Sequence, residues 1–226
     1  ERTFLEKIFG ASSYSIYSFR VAQNNDTFAC KKIMDQNPWK TLSSKEIYEN
    51  QWISLREDQV INPKGGEGIY GVLSFKNYAI GVIPLDKNLD TWLVGQYRYA
   101  LKEYSWEIPM GGGKLDLPIL DSAKRELKEE TGISANKWTL ISKIHTSNSV
   151  TNEEGFTFLA EDLSFGSTEF EETEDLQIKK LPLVEAFEMV MENKITDSLS
   201  QAGILKVHQM CDYNSGKINF PPENQL

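Results

Sequence analysis

The stretch GGGKLDLPILDSAKRELKEETGI, residues 111–133, decides the fold of this chain. After the glycine triplet, apolar residues recur at helical spacing, which predicts a helix from about Pro118 to Thr131. Proline is favourable at the first position of a helix, and Gly132 stands where a glycine often ends one. At about 100° of rotation per residue, one buried stripe collects four side chains: Leu120, Ala123, Leu127 and Thr131.

Three carboxylates share the neighbouring face of this helix, those of Glu126, Glu129 and Glu130. Carboxylates this close repel one another unless a positive charge lies among them, and such hard oxygen ligands suit Mg²⁺ or Mn²⁺. Arg125 precedes Glu129 by four positions, a spacing at which opposite charges meet on a helix. An acidic string taken alone is more often a solvated helix face. The surrounding sequence therefore has to decide between a metal site and a solvated surface.

The surrounding sequence resembles the signature of the Nudix hydrolase superfamily, G-x5-E-x7-R-E-U-x-E-E-x-G-U, where U is aliphatic. Gly111 and the run from Arg125 to Ile133 meet eight of the nine defined positions. The resemblance implies an α+β fold, the Nudix α/β/α sandwich around a mixed β-sheet, and a hydrolase that needs Mg²⁺ or Mn²⁺. It implies catalytic roles for Arg125 and Glu129. It also implies three metal ligands: Glu126, Glu129 and Glu130.

One position departs from the pattern, because Leu117 stands where the family has its first glutamate, directly after Asp116. In the family, that glutamate mainly supports the loop before the helix and the arginine that corresponds to Arg125. The departure therefore bears on the rigidity of the loop more than on metal binding. It leaves open a second function, a catalytically weak or inactive Nudix module that binds a nucleotide sugar as a sensor.

The glycines before the helix suit the chemistry of a diphosphate. A diphosphate resists attack because its own charge repels the nucleophile, and bound metal ions neutralise that charge and lower the pKa of an attacking water. Glycine lets the backbone approach a phosphate closely. We therefore expect Gly111 and Gly112 to bind substrate from a loop.

The run VGQYRYALKEYSWEIPMGGG, residues 94–113, is similar to the nucleoside-diphosphate-sugar pyrophosphatases of the ADP-ribose and GDP-mannose type. This resemblance extends from about Trp39 to about Val207. It implies that Arg98 binds a substrate phosphate with its planar fork, and that Glu107 lies by the metal or the substrate. The alternatives are a surface salt bridge and an ordinary strand carboxylate. The implied substrates are ADP-ribose, GDP-mannose or ADP-glucose, cut to a nucleoside monophosphate and a sugar phosphate.

The acidic loop FEETEDL, residues 170–176, corresponds to the place where these enzymes carry a late catalytic glutamate. Glu172 and Glu174 match best, and a carboxylate near metal-bound water is well placed to take its proton. The alternative is a solubilising loop. The chain has two histidines, His145 and His208, and we expect both to be structural.

Composition narrows the class of protein. With 226 residues, 40% of them hydrophobic and 25% charged, the chain is typical of a globular protein. A net charge of −9 disfavours binding to nucleic acid or to anionic membranes. Cys30 and Cys211 are too far apart in sequence to suggest a disulfide framework or a zinc site. This use of cysteine favours a reducing compartment, and we expect a cytoplasmic protein. No apolar run reaches the roughly 18 to 20 residues needed to span a bilayer.

The whole chain divides into three parts. Residues 1–38 have weak periodicity and are expected to form an N-terminal appendage. Residues 39–226 are expected to form a Nudix hydrolase domain, which consists of a β-rich element (39–75) and a core (76–226). Strands are expected at 52–61, 68–75, 78–85, 91–99, 105–109, 138–145, 155–160 and 176–181, and two further helices at 183–193 and 197–210.

Aromatic residues are plentiful in the first strands. The resemblance implies that side chains of this region stack on the base of the substrate, often across the interface of a homodimer. Packing in the protein core is the more common fate of such residues. The candidates are Trp39, Tyr48, Trp52 and Tyr70.

Overall fold

The computed structural model describes residues 36–168, 176–213 and 215–220. The strands are β1 (Lys40–Glu49), β2 (Ile53–Ile61), β3 (Glu67–Phe75), β4 (Asn77–Pro84), β5 (Asp90–Arg98), β6 (Glu103–Glu107), β7 (Met110–Lys114), β8 (Ile133–His145), β9 (Glu154–Phe165), β10 (Gln177–Pro182), β11 (Cys211–Asp212) and β12 (Lys217–Ile218). The helices are α1 (Ile119–Thr131), α2 (Leu183–Met191) and α3 (Ser198–Met210). No helix in these ranges is both long and apolar enough to cross a membrane.

The first three strands form an antiparallel sheet of their own, in the order β1-β2-β3. Strand β1 was not predicted. All ten residues of KTLSSKEIYE are exposed. The sequence therefore lacks the alternation of apolar and polar residues that marks a half-buried strand. This sheet is joined to the rest of the protein mainly through β3. There the hydroxyl of Tyr70 donates to the carbonyl of Ser149, and the amide of Phe75 donates to the side chain of Asn152.

Two further sheets form the centre of the protein. One is mixed, with the order β7-β4-β9-β8 and a parallel pair formed by β4 and β9, and the other is antiparallel, with the order β10-β5-β6. Successive side chains of β4 point to opposite faces. Ile80 and Val82 therefore pack with Ala123 and Leu127 of α1, whereas Ile83 packs with residues of α2 and α3. Helices thus cover both sides of the central strands, and the predicted α/β/α sandwich is confirmed.

Helix α1 ends where the sequence predicted. Gly132 has a φ of 69°, in the left-handed region, and its amide donates to the carbonyl of Lys128. A Cβ at Gly132 would also lie 2.5 Å from the carbonyl oxygen of Gly166. At the other end, Pro118 immediately precedes the first helical residue instead of being that residue.

The prediction that the glycine triplet forms a loop is wrong. Gly111, Gly112 and Gly113 lie in strand β7, which pairs with β4. A Cβ at Gly113 would lie 2.7 Å from a side-chain carbon of Ile80. Residues with a side chain cannot be packed this tightly. Close packing around β7, rather than the conformational freedom of a turn, therefore requires glycine here.

Candidate active site

The site forms where the chain passes from one central sheet to the other. Glu107 is the last residue of β6 and Met110 is the first residue of β7, so Ile108 and Pro109 make the crossing. Ile108 is fully buried, and the carbonyl of Pro109 accepts a hydrogen bond from the amide of Val82 in β4. This crossing brings the end of β6 next to the acidic face of α1.

Arg98 and Glu107, both predicted to bind substrate, contact each other. The Arg98 Nε donates to Oε1 of Glu107 over 2.9 Å, and Nη2 donates to Oε2. Glu107 is only 3% exposed, whereas the Arg98 side chain is 36% exposed. The hydrogen bonds to Glu107 raise the pKa of Arg98, with smaller contributions from the charges of Asp197 and Glu130. The salt bridge that sequence analysis gave as an alternative is present, and the partner is buried.

Arg125 binds the acidic face of its own helix. Its Nη1 donates to Glu129 over 2.7 Å, and its Nη2 donates to Glu126 over 2.5 Å and to the carbonyl of Gly112 over 2.9 Å. The predicted contact four residues along the helix is confirmed. Burial lowers the pKa of Arg125, but the charges of Glu126 and Glu129 outweigh this effect and raise it. Arg125 therefore joins the acidic face of α1 to strand β7.

Two of the three clustered carboxylates are buried, so the alternative of a solvated acidic face is wrong for them. Glu126 is 5% exposed and Glu130 is 1% exposed, while the Glu129 side chain is 25% exposed. An oxygen of Glu130 accepts a hydrogen bond from the amide of Met110 over 2.8 Å. A charged carboxylate is costly to bury. Solubility therefore does not explain the glutamates at positions 126 and 130.

The donors on this face fit a hard divalent cation by their chemistry, since all of them are carboxylate oxygens. In the described conformation, Arg125 lies between Glu126 and Glu129. Within residues 36–168, 176–213 and 215–220, no three side chains of His, Cys, Asp or Glu are gathered closely enough to hold an ion. Among the three carboxylates, Glu129 is the most exposed.

A cleft of about 380 Å³ opens beside the Arg98–Glu107 pair, a size within the usual range for ligand sites. It is lined by Arg98, Tyr99, Ala100, Leu101, Ser105, Glu107, Thr196 and Asp197. A larger cavity of about 680 Å³ lies elsewhere, around Lys137, Glu161 and Lys180, and contains none of the predicted site residues. The smaller cleft is the candidate substrate site because Arg98 and Glu107, both predicted to bind substrate, line it.

Two polar residues of this region were not predicted from the sequence: Asp197, which lines the cleft, and Ser200, which is fully buried. Asp197 caps helix α3: its Oδ2 accepts hydrogen bonds from both the amide and the hydroxyl of Ser200. The Ser200 Oγ in turn accepts a hydrogen bond from the amide of Ile108 over 3.0 Å. The pattern Asp-x-x-Ser signals the start of a helix, but it contains no information on the distant Ile108.

The remaining candidates lie around or outside this site. Glu172 and Glu174 fall outside the described residues. Leu117 is 48% exposed, on the turn before α1. Among the histidines, His145 is exposed at the end of β8, whereas His208 stacks on Phe187 with ring centroids 3.8 Å apart.

Comparison with known proteins identifies the family. Residues 76–197 match the model of the NUDIX domain, and residues 39–73 match that of the nucleoside diphosphate sugar hydrolase N-terminal domain. The chain belongs to the Nudix family and is a Nudix hydrolase. The family membership implied by the motif at residues 111–133 is confirmed.

Among its relatives are two named ADP-ribose pyrophosphatase. The one from Mycobacterium tuberculosis is 31% identical over 180 residues, which cover 77% of this chain and 86% of the relative. The one from Bacillus subtilis is 29% identical over 161 residues, 70% of this chain and 86% of the relative. A crystal structure of an ADP compounds hydrolase shares the fold, with a TM-score of 0.69 at 19% identity over 76% of this chain and 92% of that one.

Proposed function

We propose that the protein hydrolyses the diphosphate bond of a nucleoside diphosphate sugar, with ADP-ribose as the first substrate to test. The observation that carries this proposal is the Arg98–Glu107 pair at an open cleft, close enough to the acidic face of α1 for the charge of Glu130 to help raise the pKa of Arg98. The names of the two bacterial relatives favour ADP-ribose over GDP-mannose and ADP-glucose. The products are a nucleoside monophosphate and a sugar phosphate.

A divalent ion, Mg²⁺ or Mn²⁺, belongs to this proposal. Glu126, Glu129 and Glu130 would hold it, and when bound it neutralises the diphosphate and lowers the pKa of an attacking water. Arg125 restrains Glu126 and Glu129 through its two ion pairs and fixes them to the carbonyl of Gly112. Arg125 thereby fixes the position of this helix face relative to the backbone of β7.

Arg98 is the proposed phosphate ligand in the cleft. Its guanidinium is planar and always charged, and it can bind two phosphate oxygens at once. Glu107 binds one edge of the Arg98 guanidinium, through Nε and Nη2, and so fixes the direction in which the opposite edge points. The backbone of Gly111 and Gly112, beside Glu126 and Arg125 of α1, is proposed to contact the substrate as well. Glu172 or Glu174 is proposed as the general base.

A homodimer is the proposed assembly. A small sheet needs an apolar face covered by another layer to be stable, and the β1-β2-β3 sheet exposes several large apolar side chains. These are Leu42, Ile47 and Tyr48 of β1, Trp52 of the turn before β2, and Ile69 of β3. We propose that a second copy of this chain covers them. Sedimentation should give twice the chain mass, and Ile47→Lys should lower it to the mass of one chain.

A non-catalytic sensor of nucleotide sugars is the second candidate, and the observation in its favour is Leu117 at the glutamate position. A substrate panel distinguishes the two: ADP-ribose, GDP-mannose, ADP-glucose and a nucleoside triphosphate, each with and without Mg²⁺. The proposed function predicts metal-dependent cleavage of at least one nucleotide sugar and slower cleavage of the triphosphate. Binding without cleavage would favour the sensor, and preferred cleavage of the triphosphate would overturn the proposed substrate class.

A further inference from the structure

One of the contacts that hold the crossing between the two central sheets is made by a buried hydroxyl, that of Ser200. Ser200 is fully buried in the first turn of α3, and Ile108 lies 92 positions earlier in the chain. A serine hydroxyl has one donor and can accept two hydrogen bonds. Here it donates to Asp197 over 2.8 Å and accepts from the amide of Ile108 over 3.0 Å.

Every residue of the crossing is tied to a different element. The side chain of Glu107 pairs with Arg98 of β5, the carbonyl of Pro109 accepts from Val82 of β4, and the amide of Met110 donates to Glu130 of α1. The amide of Ile108 completes the series by donating to Ser200 of α3.

The two groups proposed to bind the substrate and the metal lie on opposite sides of this crossing. Arg98 and Glu107 belong to the antiparallel sheet, whereas Glu130 is fixed to the start of β7 in the mixed sheet. Only Ile108 and Pro109 separate Glu107 from Met110. A small displacement at Ile108 would therefore change the distance between the phosphate site and the acidic helix.

We propose that Ser200 is a positioning residue for hydrolysis: by holding the Ile108 amide, it sets the position of the Arg98–Glu107 pair relative to Glu130. The proposal rests on the proposed function. Residues that orient catalytic groups typically affect activity 10- to 100-fold when they are lost, and a misplacement of about 1 Å can have an effect of similar size.

The test compares three variants of Ser200 with a matched control. Ser200→Ala and Ser200→Cys remove the strong acceptor, and Cys keeps the side-chain size if Ala fails to fold; Ser200→Thr retains the hydroxyl. Ser198→Ala makes the same substitution at an exposed position of the same helical turn. We expect kcat for the best nucleotide sugar to fall about tenfold or more in Ala and Cys, with KM changed less than threefold, and to recover in Thr.

A second readout does not depend on activity. Amide hydrogen exchange at Ile108 and Met110 should accelerate at least about tenfold in Ser200→Ala and Ser200→Cys, but not in Ser198→Ala. If the parent hydrolysed no nucleotide sugar but the variants showed this exchange pattern, the proposed function would be wrong, while the contact between Ser200 and Ile108 would stand. If kcat per folded molecule stayed within twofold of the parent in both Ala and Cys, Ser200 would be structural only and the inference would be wrong.

Discussion

The carboxylate of Glu126 lies directly against the α-carbon of Gly111, so that a Cβ at this glycine would be 2.3 Å from the carboxylate carbon and from one of its oxygens. Atoms that are not bonded cannot approach so closely. Only glycine at position 111 therefore leaves room for the carboxylate of Glu126 over strand β7.

Gly111→Ala should displace Glu126 and lower kcat about 100-fold, equivalent to about 2.7 kcal/mol in the barrier. Gly166→Ala is the matched control, since a Cβ there makes only an ordinary contact at 3.5 Å. Steady-state kinetics on both variants provide the measurement. A Gly111→Ala enzyme as active as the control would show that the position of Glu126 is unimportant for catalysis.

Leu117→Glu should change kcat by no more than about tenfold, roughly 1.4 kcal/mol. The reason is that Arg125 already has three oxygen partners, from Gly112, Glu126 and Glu129. Leu115→Glu is the control, because Leu115 is an equally exposed leucine on the same turn. A much larger gain, or activity that appears only in Leu117→Glu, would support the sensor function instead.

Arg98→Ala should raise KM about tenfold and lower the free energy of unfolding by about 2 kcal/mol, because it leaves Glu107 buried without its cation. The double variant Arg98→Ala/Glu107→Gln separates the two effects. If Arg98 binds phosphate, the double variant should regain stability but keep the raised KM. Full recovery of KM would mean that Arg98 only neutralises Glu107.

Arg56→Ala is the matched control for this experiment. Arg56 also pairs with a buried carboxylate, Asp58, at 3.1 Å, but in the β1-β2-β3 sheet. Its loss should lower stability and leave KM unchanged. A raised KM in this variant would show that general destabilisation explains the Arg98 result.

The stability of the protein should fall as the pH decreases from 7 to 5, in part through His208. Burial lowers the pKa of His208, so the unfolded chain takes up the proton at a higher pH than the folded protein does. His208→Phe, which keeps a ring on Phe187, should show a shallower decline. Chemical denaturation at several pH values provides the measurement, and equal slopes for the parent and His208→Phe would contradict this role.

The features predicted correctly from sequence are those encoded within a few residues. The helix at Ile119–Thr131 follows from the spacing of Ala123 and Leu127 and from the glycine that ends it. The ion pair between Arg125 and Glu129 follows from their four-residue spacing. Such local patterns also predicted the strands from β2 to β6.

The features that were missed depend on contacts between distant parts of the chain. The glycine triplet is a strand because α1 and β4 approach it closely, and nothing in a run of three glycines distinguishes such a strand from a turn. The burial of Glu130 depends on the amide of Met110, twenty positions away. The contact between Ser200 and Ile108 spans 92 positions, so only the folded chain reveals it.

The most direct test of the account is the hydrolysis of ADP-ribose by the parent, by Glu129→Gln and by the control Glu188→Gln, an exposed glutamate of α2. AMP and ribose 5-phosphate are measured with Mg²⁺ and after chelation. The account predicts that both products form at equal rates with Mg²⁺, disappear with chelator, and form at least about 100-fold more slowly in Glu129→Gln only. Turnover that persists with chelator, or a Glu129→Gln enzyme as active as the parent, would contradict it.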